Sequence, residues 1–75
     1  MARYFFHIHD DEGPIWDEEG IEFADDAAAK REGQTSLLEM LTQDLRSGMK
    51  ITGRRIEVIK DGLPLAIFEQ PRLVI

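Results

Sequence analysis

The sequence predicts a small α+β domain in which one amphipathic helix covers one face of a four-stranded antiparallel sheet, in the order β-β-α-β-β. Three observations support this prediction. The 75 residues suffice for one domain and no more. Residues near both ends of the chain alternate between apolar and polar as strands do, whereas the central residues repeat at the helical period. We assign residues 1–70 to a single domain and residues 71–75 to an apolar C-terminal tail.

The first strand is predicted at residues 3–9, where aromatic and apolar side chains alternate with other residues. The face that we expect to join the core consists of Tyr4, Phe6 and Ile8. The opposite face consists of Phe5, His7 and His9. Residues 10–14 have the acidic, glycine and proline composition of a turn, and residues 14–23 then form either one interrupted strand or two short ones.

The helix is predicted at Asp26–Ser47, where apolar residues gather on one half of the circumference. Asp25 or Asp26 provides the N-cap, because a carboxylate there can accept free amide hydrogens and suits the positive end of the helix dipole. Gly48 ends the helix.

One glycine, Gly33, lies in the apolar half of this helix. A glycine in the middle of a helix costs about 1 kcal/mol relative to alanine. We therefore expect the helix to approach a bulky group closely at this point, with Trp16 or Phe6 as the candidates.

The last third of the chain predicts a hairpin. Residues 49–53 form a polar connector, and residues 54–61 alternate as a strand. Asp61 and Gly62 are a strong signal for a tight turn. The returning strand, Leu63–Glu69, contains Pro64, which lacks an amide hydrogen, so we expect the strand either to lie at an edge of the sheet or to start after the proline.

Composition and charge exclude several classes of function. The absence of cysteine excludes disulfides, thiolate zinc sites and iron–sulfur clusters. The net charge of −6 argues against a molecule that clamps nucleic acid with its whole surface. No apolar run is long enough to cross a membrane, so we expect a cytoplasmic protein. No nucleophile has a catalytic setting and no glycine loop suits a phosphate, so we expect neither enzymatic activity nor a cofactor.

The negative charge is concentrated near the start of the sequence. Residues 1–26 contain nine acidic residues and one basic residue, Arg3. The spacing differs from that of a calcium-binding loop. We interpret this segment as a solvated acidic turn, with binding of a basic partner as the alternative.

Two histidines two residues apart, His7 and His9, fall on the same face of the first strand. Together with Asp11 they are candidate ligands for a metal ion, and a metal-dependent hydrolase is the enzymatic alternative. The favoured interpretation is that both imidazoles lie partly solvated on the uncovered face of the sheet, with no metal bound. A pH-sensing role is the other open alternative.

A basic stretch between residues 46 and 60 is the candidate surface for nucleic acid or phosphate. Its cationic residues are Arg46, Lys50, Arg54, Arg55 and Lys60. Since no aromatic residues are interleaved with them, the favoured interpretation is a solvated connector whose charges complement the helix C-terminus and the acidic segment.

Apolar residues beyond those needed for the core suggest association. The candidate interface residues are Phe5, Leu73, Val74 and Ile75. We expect a homodimer, formed by edge-strand pairing or by packing of the uncovered sheet faces, or a complex with a small protein partner.

Three segments also carry a resemblance to a known family. The chain resembles a family of short bacterial proteins of unknown function in residues 3–7 (Arg-Tyr-Phe-Phe-His), residues 20–25 before the alanine-rich helix, and residues 53–58 after it. The resemblance extends over about residues 3–68 and implies the fold but no site residue. A weaker architectural similarity to antitoxin-type domains implies a protein partner, although the Asp-x-Pro-Gly-Cys type of segment before the helix is missing. The function predicted is therefore a non-enzymatic, self-associating interaction module.

Overall fold

The computed structural model describes residues 1–48 and 53–70, which form one antiparallel sheet with one helix packed on it. The predicted tail at 71–75 and most of the predicted connector lie outside the described residues. In chain order the elements are β1 (Ala2–Asp10), β2 (Gly13–Ile15), β3 (Ile21–Phe23), α1 (Asp26–Ser47), β4 (Arg55–Lys60) and β5 (Leu63–Glu69).

Over the described part of the chain the sheet has five strands, so the predicted number of four is wrong, whereas the α+β class and the antiparallel pairing are confirmed. Its order is β2-β1-β4-β5, and β3 also pairs with β1. Tyr4 pairs with Lys60 of β4 and also with Ile21 of β3, which places β3 on the same side of β1 as β2. The segment predicted as one or two strands is therefore two short strands that share one edge of the sheet.

The hairpin between β4 and β5 forms as predicted. Both turn residues have positive φ, 53° at Asp61 and 76° at Gly62, as a type I′ turn requires. The register shifts once near Val58, and β5 lies at an edge of the sheet, where the missing amide hydrogen of Pro64 is tolerated.

The core lies between the helix and one face of the sheet. Its buried side chains are Tyr4, Ala29, Leu37, Ile56 and Val58. Phe23 packs edge-on against the rings of Tyr4 and Phe6, which extends the core toward β3. Because side chains alternate along a strand, the burial of Tyr4 directs Phe5 to the opposite face, which we call the open face.

Gly33 makes the close approach that its position predicts, but with other partners. A Cβ placed on Gly33 would lie 3.0 Å from Val58 and 3.2 Å from the ring of Phe68. The predicted partners Trp16 and Phe6 are wrong: the helix crosses β4 and β5 here, and Trp16 lies against histidines of the open face.

Both ends of the helix are capped as expected. The carboxylate of Asp25 accepts the backbone N–H of Ala28 at 2.8 Å, and Gly48 adopts the left-handed conformation with φ of 72°. Among the described residues, no helix is apolar and long enough to span a bilayer.

Candidate functional site

The most exposed aromatic side chain, Trp16, lies against two histidines of β1. The ring centroids of Trp16 and His7 are 5.0 Å apart and nearly perpendicular, and those of Trp16 and His9 are 5.7 Å apart in the same arrangement. This edge-to-face geometry is the favoured one for aromatic pairs. Trp16 nevertheless remains 58% exposed, so its ring is held in place while much of its surface faces solvent.

Asp17 fixes the backbone next to Trp16. Its N–H donates to Nδ1 of His7 at 3.1 Å, and its carboxylate accepts the N–H groups of Phe6 and Gly20, each at 3.1 Å. Glu19 donates a further N–H at 3.3 Å. Burial opposes the charge, but these backbone donors outweigh it and lower the pKa of Asp17.

The aspartate fills the interruption between β2 and β3. Phe6 lies between the stretches of β1 that pair with β2 and with β3, and its N–H bonds to Asp17 in place of a strand partner. Gly20 has φ of 70° and lies against the backbone of Tyr4 and the ring of Phe5, where a side chain has no room. The connection between β2 and β3 is thus held against β1 at both Asp17 and Gly20.

The three candidate metal ligands, His7, His9 and Asp11, have different surroundings in the structure. His7 uses Nδ1 as the acceptor for Asp17, while Nε2 of His9 lies 3.6 Å from the carboxylate of Glu57. His9 and Asp11 line an open polar depression of about 450 Å³ at one end of the sheet, which His7 does not line. Within residues 1–48 and 53–70, no three histidine or acidic side chains form a group suited to one metal ion.

The basic candidates are distributed over different surfaces. Arg54 is largely buried, with its guanidinium 3.3 Å from Asp44 and 3.8 Å from Asp10. Its neighbour Arg55 is exposed and lies opposite His9 in the pairing of β4 with β1, on the open face. Lys60 donates to Asp26 at 2.9 Å, Arg46 is exposed on the last turn of the helix, and Lys50 lies outside the described residues.

A second polar network joins the start of the helix to the sheet. The hydroxyl of Tyr4 donates to Asp26 at 2.6 Å, next to the bond from Lys60. The hydrogen bond from Tyr4, followed by that from Lys60, lowers the pKa of Asp26. The same carboxylate raises the pKa of Tyr4 and of Lys60. Lys60 therefore has a partner within the fold.

The apolar interface candidates are only partly described. Phe5 is half-buried on the open face, with its ring against Gly20, and Leu73, Val74 and Ile75 lie outside the described residues. The structure instead shows large exposed apolar side chains at two edges of the sheet and on the helix. They are Ile15, Trp16, Ile21, Leu38, Leu45, Leu63 and Ile67.

Sequence reasoning did not select Trp16, Asp17 or Ile67 as functional residues. The string Trp-Asp-Glu-Glu-Gly at residues 16–20 offered one signal, because an aspartate followed three residues later by glycine is typical of a side-chain-capped turn. The position of Ile67 at an outer edge depends on strand order, which no local pattern reveals.

Comparison with known proteins gives one match. A family model described as "Domain of unknown function (DUF6894)" matches residues 3–67. No curated protein matches the chain, and no solved structure matches it. Because the family model covers most of the sequence, the chain belongs to this family.

Proposed function

We propose that this member of the DUF6894 family is a non-enzymatic cytoplasmic protein that works by association, forming a homodimer through the outer edge of β5. The observation that carries the proposal is the composition of that edge strand. Its seven residues, Leu63–Glu69, contain one charged side chain, Glu69. Long apolar edge strands attract further strands, and natural proteins usually protect or pair them.

Within residues 1–48 and 53–70, the pairing pattern leaves backbone groups on this edge without a strand partner. The N–H of Phe6 points toward Asp17, away from β4. The backbone N–H and C=O groups of successive residues point to opposite sides of a strand. Those of His7 therefore point toward Glu57 of β4, and those of Val58 point toward Ala66 of β5. By the same alternation, the N–H and C=O of Ile67 point outward.

Side chains near this position favour a second copy of the chain as the partner. Ile67 is 53% exposed on the open face, and Leu63 at the start of β5 is exposed as well. Two β5 strands related by a two-fold axis run antiparallel, which keeps the two Glu69 carboxylates apart and brings apolar residues together. Pairing in this way would join both sheets into one.

The opposite edge is a poor surface for a second copy. The β2–β3 edge belongs to the acidic segment, so two copies meeting there would bring like charges together. The open face around Phe5 is the other self-association surface that the sequence predicts, and there the ring of Phe5 already packs on Gly20.

The test compares two matched isoleucine substitutions. Ile67 and Ile15 are 53% and 57% exposed but lie on opposite edges of the sheet. Light scattering after size exclusion, at concentrations of tens of micromolar, should give twice 8.6 kDa for the wild type and for Ile15→Lys. Ile67→Lys should give 8.6 kDa, because it places two like charges beside the two-fold axis.

Circular dichroism on all three proteins establishes that they are folded. A monomeric wild type refutes the dimer. A dimer that survives Ile67→Lys but is lost in Ile15→Lys moves the interface to the other edge and refutes the role of β5.

A further inference from the structure

We infer that Trp16, together with the acidic turns that precede and follow it in the sequence, forms a docking site for a lysine- or arginine-containing segment of a partner protein. This site lies on the β2–β3 side of β1, whereas the proposed dimer edge is β5. The inference therefore stands or falls independently of the dimer.

The exposed Trp16 ring is preorganised. His7 and His9 abut it with centroid distances of 5.0 and 5.7 Å, and the next residue, Asp17, has its N–H and its carboxylate bonded to β1. A side chain already held in its bound position loses little conformational freedom on binding. Tryptophan is also among the residues that contribute most at the centre of protein interfaces.

The charge of the turns on both sides of Trp16 in the sequence selects the partner. Four exposed acidic residues lie in the turns that flank β2, and no cation of the described chain is within ion-pair distance of their carboxylates. They are Asp11, Glu12, Glu18 and Glu19. Arg3, the basic residue among residues 1–26, is already paired with the carboxylate of Glu22 at 3.2 Å and donates to the backbone carbonyl of Glu19 at 2.7 Å. Arg55 lies opposite His9 on the open face, but the four unpaired carboxylates outnumber this one cation, so the potential at this edge is negative and attracts cations.

An aromatic face with carboxylates beside it recognises a cationic side chain by two effects. The ring quadrupole attracts an ammonium or guanidinium group within about 6 Å of the ring centre, most strongly for tryptophan. The neighbouring carboxylates add long-range attraction, which salt weakens. An anionic ligand is repelled, and a second copy of this chain would bring the same acidic segment against itself.

The experiment measures the binding of a fluorescently labelled hexa-arginine peptide by anisotropy at about 50 mM salt. A hexaglutamate peptide serves as the charge control. We expect the wild type to bind hexa-arginine and not hexaglutamate. Trp16→Leu should weaken binding about tenfold, and Trp16→Phe should restore part of the loss because an aromatic face is retained.

Three results overturn the proposal. One is no binding of hexa-arginine at low salt. Another is equal binding by the wild type and Trp16→Leu, which would reduce the effect to general attraction by acidic residues. The third is full retention of affinity in Glu18→Gln/Glu19→Gln, which would remove the carboxylates from the site. The variant Leu38→Ala, an exposed apolar residue on the helix, should bind as the wild type does.

Discussion

The carboxylate of Asp17 lies 3.1 Å from the backbone nitrogen of Phe6 and occupies the place of a strand between β2 and β3. One side chain thus does what a backbone carbonyl does elsewhere along β1. The same residue also donates its own N–H to His7. The edge that carries Trp16 is therefore held by Asp17 as well as by the short pairings of β2 and β3 with β1.

We expect Asp17→Ala to lower the free energy of unfolding by about 2–3 kcal/mol, because it leaves two part-buried N–H groups, those of Phe6 and Gly20, without their charged acceptor. Asp17→Asn keeps one acceptor oxygen and should lose about half as much. Urea titrations measure both values. The exposed neighbour Glu18→Ala is the control and should change stability by less than about 0.5 kcal/mol. Loss of the same size at both positions would contradict a structural role for Asp17.

Arg54 and Arg55 are adjacent but differ in environment, which predicts different effects of the same substitution. Arg54→Gln leaves the buried carboxylate of Asp44 without its partner and should cost about 3 kcal/mol. Arg55→Gln removes an exposed charge and should cost less than about 0.5 kcal/mol. Thermal and urea unfolding of the two variants check this difference. Equal stabilities would show that the pair with Asp44 contributes nothing.

Two opposing effects determine how replacement of Gly33 by alanine changes the stability of the protein. Alanine gains about 1 kcal/mol of helix propensity, but its Cβ would lie 3.0 Å from the fully buried Val58, and overpacking typically costs about 1–3 kcal/mol. We expect Gly33→Ala to destabilise the protein by about 1 kcal/mol net and Gly33→Val to destabilise it further. Gln34→Ala, on the exposed side of the same turn, controls for propensity alone. A stabilised Gly33→Ala would mean that the helix can move away from the sheet.

Stability should fall at both extremes of pH through Asp26 and its partners. The pKa of Asp26 and of Asp17 is lowered in the fold, so their contribution is present above the ordinary value of 3.8 and is lost as the pH falls below it. The pKa of Tyr4 and of Lys60 is raised, so their contribution is present below the ordinary values of 10.0 and 10.5 and is lost as the pH rises above them.

Urea midpoints measured between pH 3 and pH 11 test this dependence. Asp26→Asn should lower the urea midpoint at neutral pH and should reduce the fall of the midpoint at low and at high pH. Asp11→Asn, at an exposed turn position, should leave the profile unchanged. An unchanged profile in Asp26→Asn would show that the bonds from Tyr4 and Lys60 do not contribute.

The proposed site shows where sequence reasoning succeeds and where it stops. The face of β1 that carries His7 and His9 follows from alternation around the buried Tyr4. Their contact with Trp16 does not, because it depends on how a connection of a few residues folds back over β1. Arg54 and Arg55 appear equivalent in the sequence, and only the position of Asp44 on the packed helix distinguishes them.

The sequence by itself determined the elements whose signals are local. The helix begins and ends where Asp25 and Gly48 place it, and the β4–β5 turn forms at Asp61 and Gly62, because capping and turn conformations depend on a few adjacent residues. Tertiary structure decided the number of strands, the neighbours of Gly33 and the residues exposed at each edge. Those outcomes depend on contacts between residues far apart in the chain, whose energies are comparable for several arrangements until the whole sheet and helix pack together.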